Sequence, residues 1–184
     1  MTFDGIHRPT LSSMGIDPHR LERAYLSARE KLLSLRLTGG WWEGELSSSA
    51  LSTAVAVSAL IAAKVDAPKL VENGLSWLKD HQNEDGGWGD TTISFSNIST
   101  TLLVKSAFYI SGRHQEFAST LEKTDQWIGS RYGNSSKELA EALRQRYGKD
   151  HTFSVPILTT CALAGLVDWE EVPALPFELA CLPQ

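Results

Sequence analysis

Gln82-Asn83-Glu84-Asp85-Gly86-Gly87-Trp88 follows directly on an apolar helical pattern, and its reading decides the fold. A calcium loop would need alternating oxygen ligands closed by a glutamate, and Asn83, Glu84, Asp85 and Asp90 do not keep that spacing. A phosphate loop would need a lysine and a preceding strand, and neither is present. A structural fastener fits. Gln82, at a helix end, can hydrogen-bond orphan backbone groups of an adjacent helix. Gly86-Gly87 supplies a tight turn that side chains would forbid, and Trp88 can lie over the glutamine amide and shield it from water.

Outward from this loop the pattern is helical. Residues 18–37 carry a stripe of Leu21, Ala24, Tyr25, Ala28, Leu32 and Leu35, opened by Pro18 and closed by Gly39-Gly40. Residues 47–63 are apolar or small on nearly every side and should be buried all round. Residues 69–81 place Leu70, Gly74, Trp77 and Leu78 inward. Residues 97–110 and 153–167 are again of the all-round buried type. Between them lie an amphipathic stretch with Leu121, Trp127 and Ile128, then a polar stretch, 133–150, that reads as a loop plus a solvated helix. The tail contains three prolines and reads as an extended connection.

The chain repeats itself. Leu32-Leu33 before Gly39-Gly40-Trp41 parallels Trp77-Leu78 before Gly86-Gly87-Trp88, and Trp127-Ile128 before Tyr132-Gly133 is a weaker third copy. The period of about 47–50 residues lies in the range of stacked supersecondary units. Amphipathic helices alternating with buried ones predict an all-α fold, an α/α toroid that is a partial or complete α/α barrel. The expected division is an N-terminal extension over 1–17 and a barrel domain over 18–184.

Composition bounds the function. The 184 residues are 42% hydrophobic and 21% charged, an ordinary globular balance. A formal charge of −5 argues against nucleic acid as a partner. Cys161 and Cys181 sit in apolar surroundings at a spacing that suits neither a redox pair nor a zinc ribbon, and read as buried thiols. No secretory signal opens the chain, and no apolar run reaches the roughly 20 residues that span a bilayer. The expected location is cytoplasmic or peripheral at the cytoplasmic membrane.

Gly74 to Leu78 with Gln82, Gly86 and Trp88 resembles the QW motif of the squalene-hopene and oxidosqualene cyclases. Gly40-Trp41-Trp42 resembles the GxWW element of bacterial squalene-hopene cyclases. Asn97 to Thr101 stands where they carry a DxDTT-like helix start. Phe153-Ser154-Val155-Pro156-Ile157-Leu158, with Trp169, Val172-Pro173, Leu175-Pro176 and Glu178, resembles their stretch before the domain connection. The resemblance runs from about Leu21 to Gln184. It implies the N-terminal barrel of a longer cyclase, whose substrate, squalene or a similar linear polyprenyl hydrocarbon, lies between this barrel and a second, catalytic one. It also implies protonation without metal, nucleotide or other cofactor, and peripheral membrane contact.

The family's acid motif, D-x-D-D, belongs to the second barrel and does not occur here, so no catalytic residue is assigned and the isolated chain is expected to be inactive. Asp85 and Asp90 read as solvated loop acids. Phe153, His151 and Leu103 are candidate cavity-wall residues, with plain core packing competing for Phe153 and a solvated junction for His151. Trp41, Trp42 and Trp88 read as structural. Where family members carry acidic groups and an arginine, this chain has Ser52-Thr53-Ala54, Leu102-Leu103-Val104 and His151, which leaves the terminating step and the product open. The alternative function is a stand-alone lipid-binding or scaffold module. A prenyltransferase β subunit would need an Asp, Cys and His zinc set, and the five histidines form none with either cysteine.

Overall fold

The computed structural model describes residue 15, residues 17–44 and residues 46–174, with only the backbone of His151. Cys181 and the Leu175-Pro176 and Glu178 positions lie outside the described residues. The chain forms two compact units that divide between Leu46 and Ser47. All regular structure among the described residues is helical.

In the first unit, α1 (Pro18–Ser34) starts where the sequence predicts it. Asp17 caps it by accepting the His19 N–H at 3.1 Å, and Pro18 takes the first helical position. The expected stripe is not buried. Leu21, Tyr25, Leu32 and Leu35 all remain exposed, because the unit contains no second helix among its described residues to receive them.

The second unit holds α2 (Ala50–Ala62), α3 (Pro68–Asp80), α4 (Ile98–Ile110), a short 3-10 turn at His114–Phe117, α5 (Ala118–Arg131), α6 (Ser136–Tyr147) and α7 (His151–Leu163). Helices α2, α4 and α7 each begin at a polar cap, Ser49, Asn97 and Asp150, whose side chain accepts a first-turn N–H. They form the inner layer. Helix α4 is central, packed against α2 on one side and α7 on the other, while α3 backs α2, α5 backs α4 and α6 backs α7. The inner and outer helix types therefore separate as the sequence predicts, in an arc of three inner helices that is a partial barrel wall.

Only α4 is buried all round, with ten residues including Leu102, Leu103, Val104 and Phe108 enclosed. Helix α2 departs from expectation: Ala50, Ala54, Val57 and Ser58 are buried, but Val55 is 44% exposed. Helix α7 likewise leaves Leu163 uncovered. The reason is position, since α4 has an inner neighbour on both sides whereas α2 and α7 end the arc. Their open faces, with Ile110, line an apolar cleft of about 170 Å³ formed by Val55, Ser58, Ala59, Ala62, Thr160 and Leu163.

Two further expectations change. Leu70 is exposed; Leu78 is buried as expected, and Leu75 joins it on the buried face of α3. Gly74 does sit at the contact, because a Cβ there would stand 2.5 Å from the Val57 methyl of α2. The polar stretch 133–150 is no solvated helix. Helix α6, started by a Ser135–Glu138 capping box, buries Leu139, Ala140, Ala142 and Leu143 against α7.

Candidate functional site

The loop from Gln82 to Trp88 is a clasp between the inner and outer layers. Its turn closes through Gly86 N–H to Asn83 O at 2.9 Å and Asn83 N–H to Gly87 O at 3.0 Å. Gly86 has φ of +92°, a region that side chains rarely enter. It also lies against α5 so closely that a Cβ would come within 2.5 Å of the Lys123 carbonyl oxygen. Two independent constraints thus demand glycine there.

Gln82 Nε2 faces three acceptors: Gly86 O at 2.9 Å, Thr120 O at 3.0 Å and Thr124 Oγ1 at 3.0 Å. The partner is α5, as a clasp requires, but the Thr120 carbonyl is no orphan, since it also accepts the Thr124 hydroxyl. Trp88 is structural, and its indole N–H has a partner of its own. It is fully buried, and its Nε1 donates to Leu78 O at 2.8 Å, satisfying a carbonyl in the last turn of α3. The indole therefore ties helix end to loop, packing beside Phe108 of α4.

The first unit repeats this geometry at a shift of 46 residues. Trp42 Nε1 donates to Leu32 O at 2.6 Å, Leu37 N–H to Trp41 O at 2.9 Å, and Gly40 N–H to Leu37 O at 2.9 Å. Gly40 shares the φ of +92°. Arg36 occupies the place of Gln82 and bonds the equivalent carbonyl, Gly40 O, at 3.0 Å. Its guanidinium also lies 5.6 Å from the Trp42 ring centre. Trp41 and Trp42 are both about half exposed in this unit.

Asp85 and Asp90 are fastened rather than merely solvated. Asp85 accepts Ser96 Oγ at 2.6 Å, Gly87 N at 3.1 Å and Trp127 Nε1 at 2.7 Å, so the third tryptophan copy reaches back into the loop of the second. Burial acts to raise the Asp85 pKa, and the hydrogen bonds from Ser96, Gly87 and Trp127, with the Arg131 charge, outweigh it and leave it lowered. For Asp90 the Thr100 hydroxyl is the strongest influence, followed by opposing burial, the Asn97 amide and the Arg146 charge, and its pKa also falls. Asp90 joins the starts of two inner helices: its carboxylate accepts Asn97 Nδ2 at 2.9 Å and Thr100 Oγ1 at 2.5 Å, and its carbonyl accepts Ser49 Oγ at 2.7 Å. Carboxylates held ionised this way suit fastening and carry no proton for an alkene.

The candidate wall residues separate. Phe153, in the first turn of α7, is 58% exposed and stacks on Tyr147 at 6.0 Å, so plain core packing is not its role. Leu103 is enclosed within the α4 core. The side chain of His151 lies outside the described residues. Cys161 is buried, with its thiol pushed up to about 11, chiefly by burial. Sequence reading missed Trp127 and Asp85 as partners; they lie 42 residues apart, and no local pattern joins them.

The second unit is thus an all-α wall of outer and inner helices, clasped by the Trp88 loop and open along one apolar cleft. Residues 26–184 match the squalene-hopene cyclase N-terminal domain family, and the chain belongs to it. The chain is 29% identical over 171 residues to a probable squalene–hopene cyclase of Sinorhizobium fredii (strain NBRC 101917 / NGR234). That similarity covers 91% of this chain and 24% of the relative, so the chain spans about a quarter of the relative's length. No solved structure matches it.

Proposed function

We propose that this chain supplies one wall of the reaction chamber in a protonation-initiated cyclase acting on a linear triterpene such as squalene. The observation that carries the reading is the family match over residues 26–184, with the apolar cleft between α2, α4 and α7 as physical support. A hydrocarbon substrate offers nothing to hydrogen-bond, so its container must be apolar and dry. The clasp suits such a container, because it closes the last turn of α3 and the start of α4 with internal partners.

The chemistry needs an acid that stays neutral until it meets the alkene. Asp85 and Asp90 are held in the opposite state. On this reading the proton donor belongs to a second barrel, the isolated chain binds neither metal nor nucleotide for the reaction, and Phe153, exposed at the start of α7, is the candidate wall residue that would face a developing cation. Its ring would stabilise that charge through its quadrupole. The Gln82 loop is then a QW-type fastener of the outer layer, and the Arg36 loop a similar fastener within its own unit.

Incubating the purified chain with squalene and analysing the extract by mass spectrometry is expected to return squalene alone; hopene would refute the assignment of the acid elsewhere. The genomic frame after the Gln184 codon gives a second test. Continuation into a helical region with D-x-D-D supports the cyclase, and a stop codon favours the stand-alone lipid-binding module.

A further inference from the structure

On the side of α5 turned away from the clasp, a groove of about 600 Å³ runs between the end of α4, the 3-10 turn and α5. Tyr109, His114, Leu121, Glu122, Asp125 and Gln126 line it. The α5 members of this set share one stripe, about half a turn around the helix from the Thr120, Thr124 and Trp127 stripe that meets the Gln82–Trp88 loop. The Tyr109 and His114 rings stack at 4.8 Å, with 5° between their planes. His114 Nδ1 is enclosed without a hydrogen-bond partner, so ring stacking orients the imidazole. The two carboxylates differ. Asp125 pairs with Lys105 Nζ at 2.6 Å, and that ammonium also lies 5.8 Å from the Tyr109 ring centre. Glu122 stands one turn earlier on the same face, and among the described residues no cation pairs with it. The groove therefore keeps one uncompensated negative charge beside an aromatic and aliphatic floor.

We infer that this groove binds a small organic monocation, a protonated primary amine on a short aliphatic stem. The ammonium sits on Glu122 and the stem lies along Tyr109 and Leu121. Lys105 is the internal precedent, a primary ammonium on an aliphatic stem resting between a carboxylate of α5 and the Tyr109 ring. The ligand repeats that arrangement one helical turn away. Charge sets its sign and number. Carboxylates three residues apart on a helix repel each other, and Lys105 relieves only one of them. An anion would meet the Glu122 charge, and a dication would bring a second charge toward Lys105. A bare metal ion does not fit, since no three His, Cys, Asp or Glu side chains among the described residues gather as a ligand set. The volume lies within the roughly 300–1,000 Å³ of small-molecule sites. This inference stands apart from the cyclase reading and holds for a stand-alone module equally.

The test is titration of the isotope-labelled chain with n-butylammonium chloride, followed by NMR of the backbone amides. Sodium chloride at matched ionic strength and sodium butyrate serve as controls. The expected result is saturable shifts confined to the end of α4, the 3-10 turn and α5, absent with either control. Glu122→Gln should weaken binding about fivefold, the upper range for a solvent-facing ion pair, and Gln126→Glu should strengthen it. Circular dichroism of both variants should match the unmodified chain, since both side chains are exposed. Shifts that never saturate, or that sodium chloride or butyrate reproduces, would overturn the inference. So would shifts that map to the cleft between α2 and α7, or unchanged affinity in Glu122→Gln.

Discussion

Replacing Gly86 by alanine isolates the contact on which the clasp depends. The added Cβ meets two obstacles. The φ of +92° is unfavourable for an L side chain, at about 1–2 kcal/mol. The Cβ would also stand 2.5 Å from Lys123 O and 2.9 Å from its carbonyl carbon, backbone atoms that move only with α5. Forcing such a contact costs about 1–3 kcal/mol. Together Gly86→Ala should destabilise by about 2–5 kcal/mol, a large share of the roughly 5–15 kcal/mol that holds a typical domain. Urea unfolding followed by tryptophan fluorescence should show the midpoint falling by roughly 1–2 M. Trp88 and Trp127 report on this region directly, one buried in the core and the other bonded to Asp85. Gly86→Asn separates the two obstacles, because asparagine tolerates positive φ yet brings the same Cβ. It should recover much of the φ share and keep the roughly 1–3 kcal/mol of the Cβ contact. A midpoint unchanged in Gly86→Ala would refute the close docking of loop on α5, and full recovery in Gly86→Asn would assign the effect to φ alone.

Three other outcomes are expected. Gln82→Leu removes an amide that shares two hydrogens among three acceptors, and should lower stability by about 1–2 kcal/mol in the same urea assay. Asp85 and Asp90 have depressed folded-state pKa values, so their contribution is fully present above the ordinary carboxylate value of 3.8 and is lost as pH falls through the lower folded values. Calorimetry should show the melting temperature dropping in that acid window, and the Asp85→Asn/Asp90→Asn variant should give a flatter profile. Cys161, buried and raised to about 11, should resist a thiol reagent at about pH 8 in a Cys181→Ser background until denaturant is added; rapid labelling of the folded chain would contradict the packing of α7 on α4.

Much was legible in the residues themselves. Helix starts follow from caps and prolines: Asp17 before Pro18, Asn97 before Ile98, and the Ser135–Glu138 pair that opens α6. The turn at Gly86, the closeness required at Gly74 and the role of Trp88 as a fastener are written in short-range chemistry, which one segment can specify alone. The family, too, is carried by such local motifs.

What only the tertiary structure decided is which neighbour each face meets. Periodicity marks a helix as apolar on a side, but burial depends on whether another element arrives there. The similar compositions of α2 and α4 therefore led to different outcomes, with α4 enclosed between two helices and α2 left open along Val55. Leu103 entered the core while Phe153 turned outward. Asp85 found Trp127, and Gln82 found Thr120 and Thr124, across about forty residues of chain. Those pairings are long-range because the outer helix must first dock before its carbonyl, hydroxyl and indole N–H come within hydrogen-bond reach of the loop.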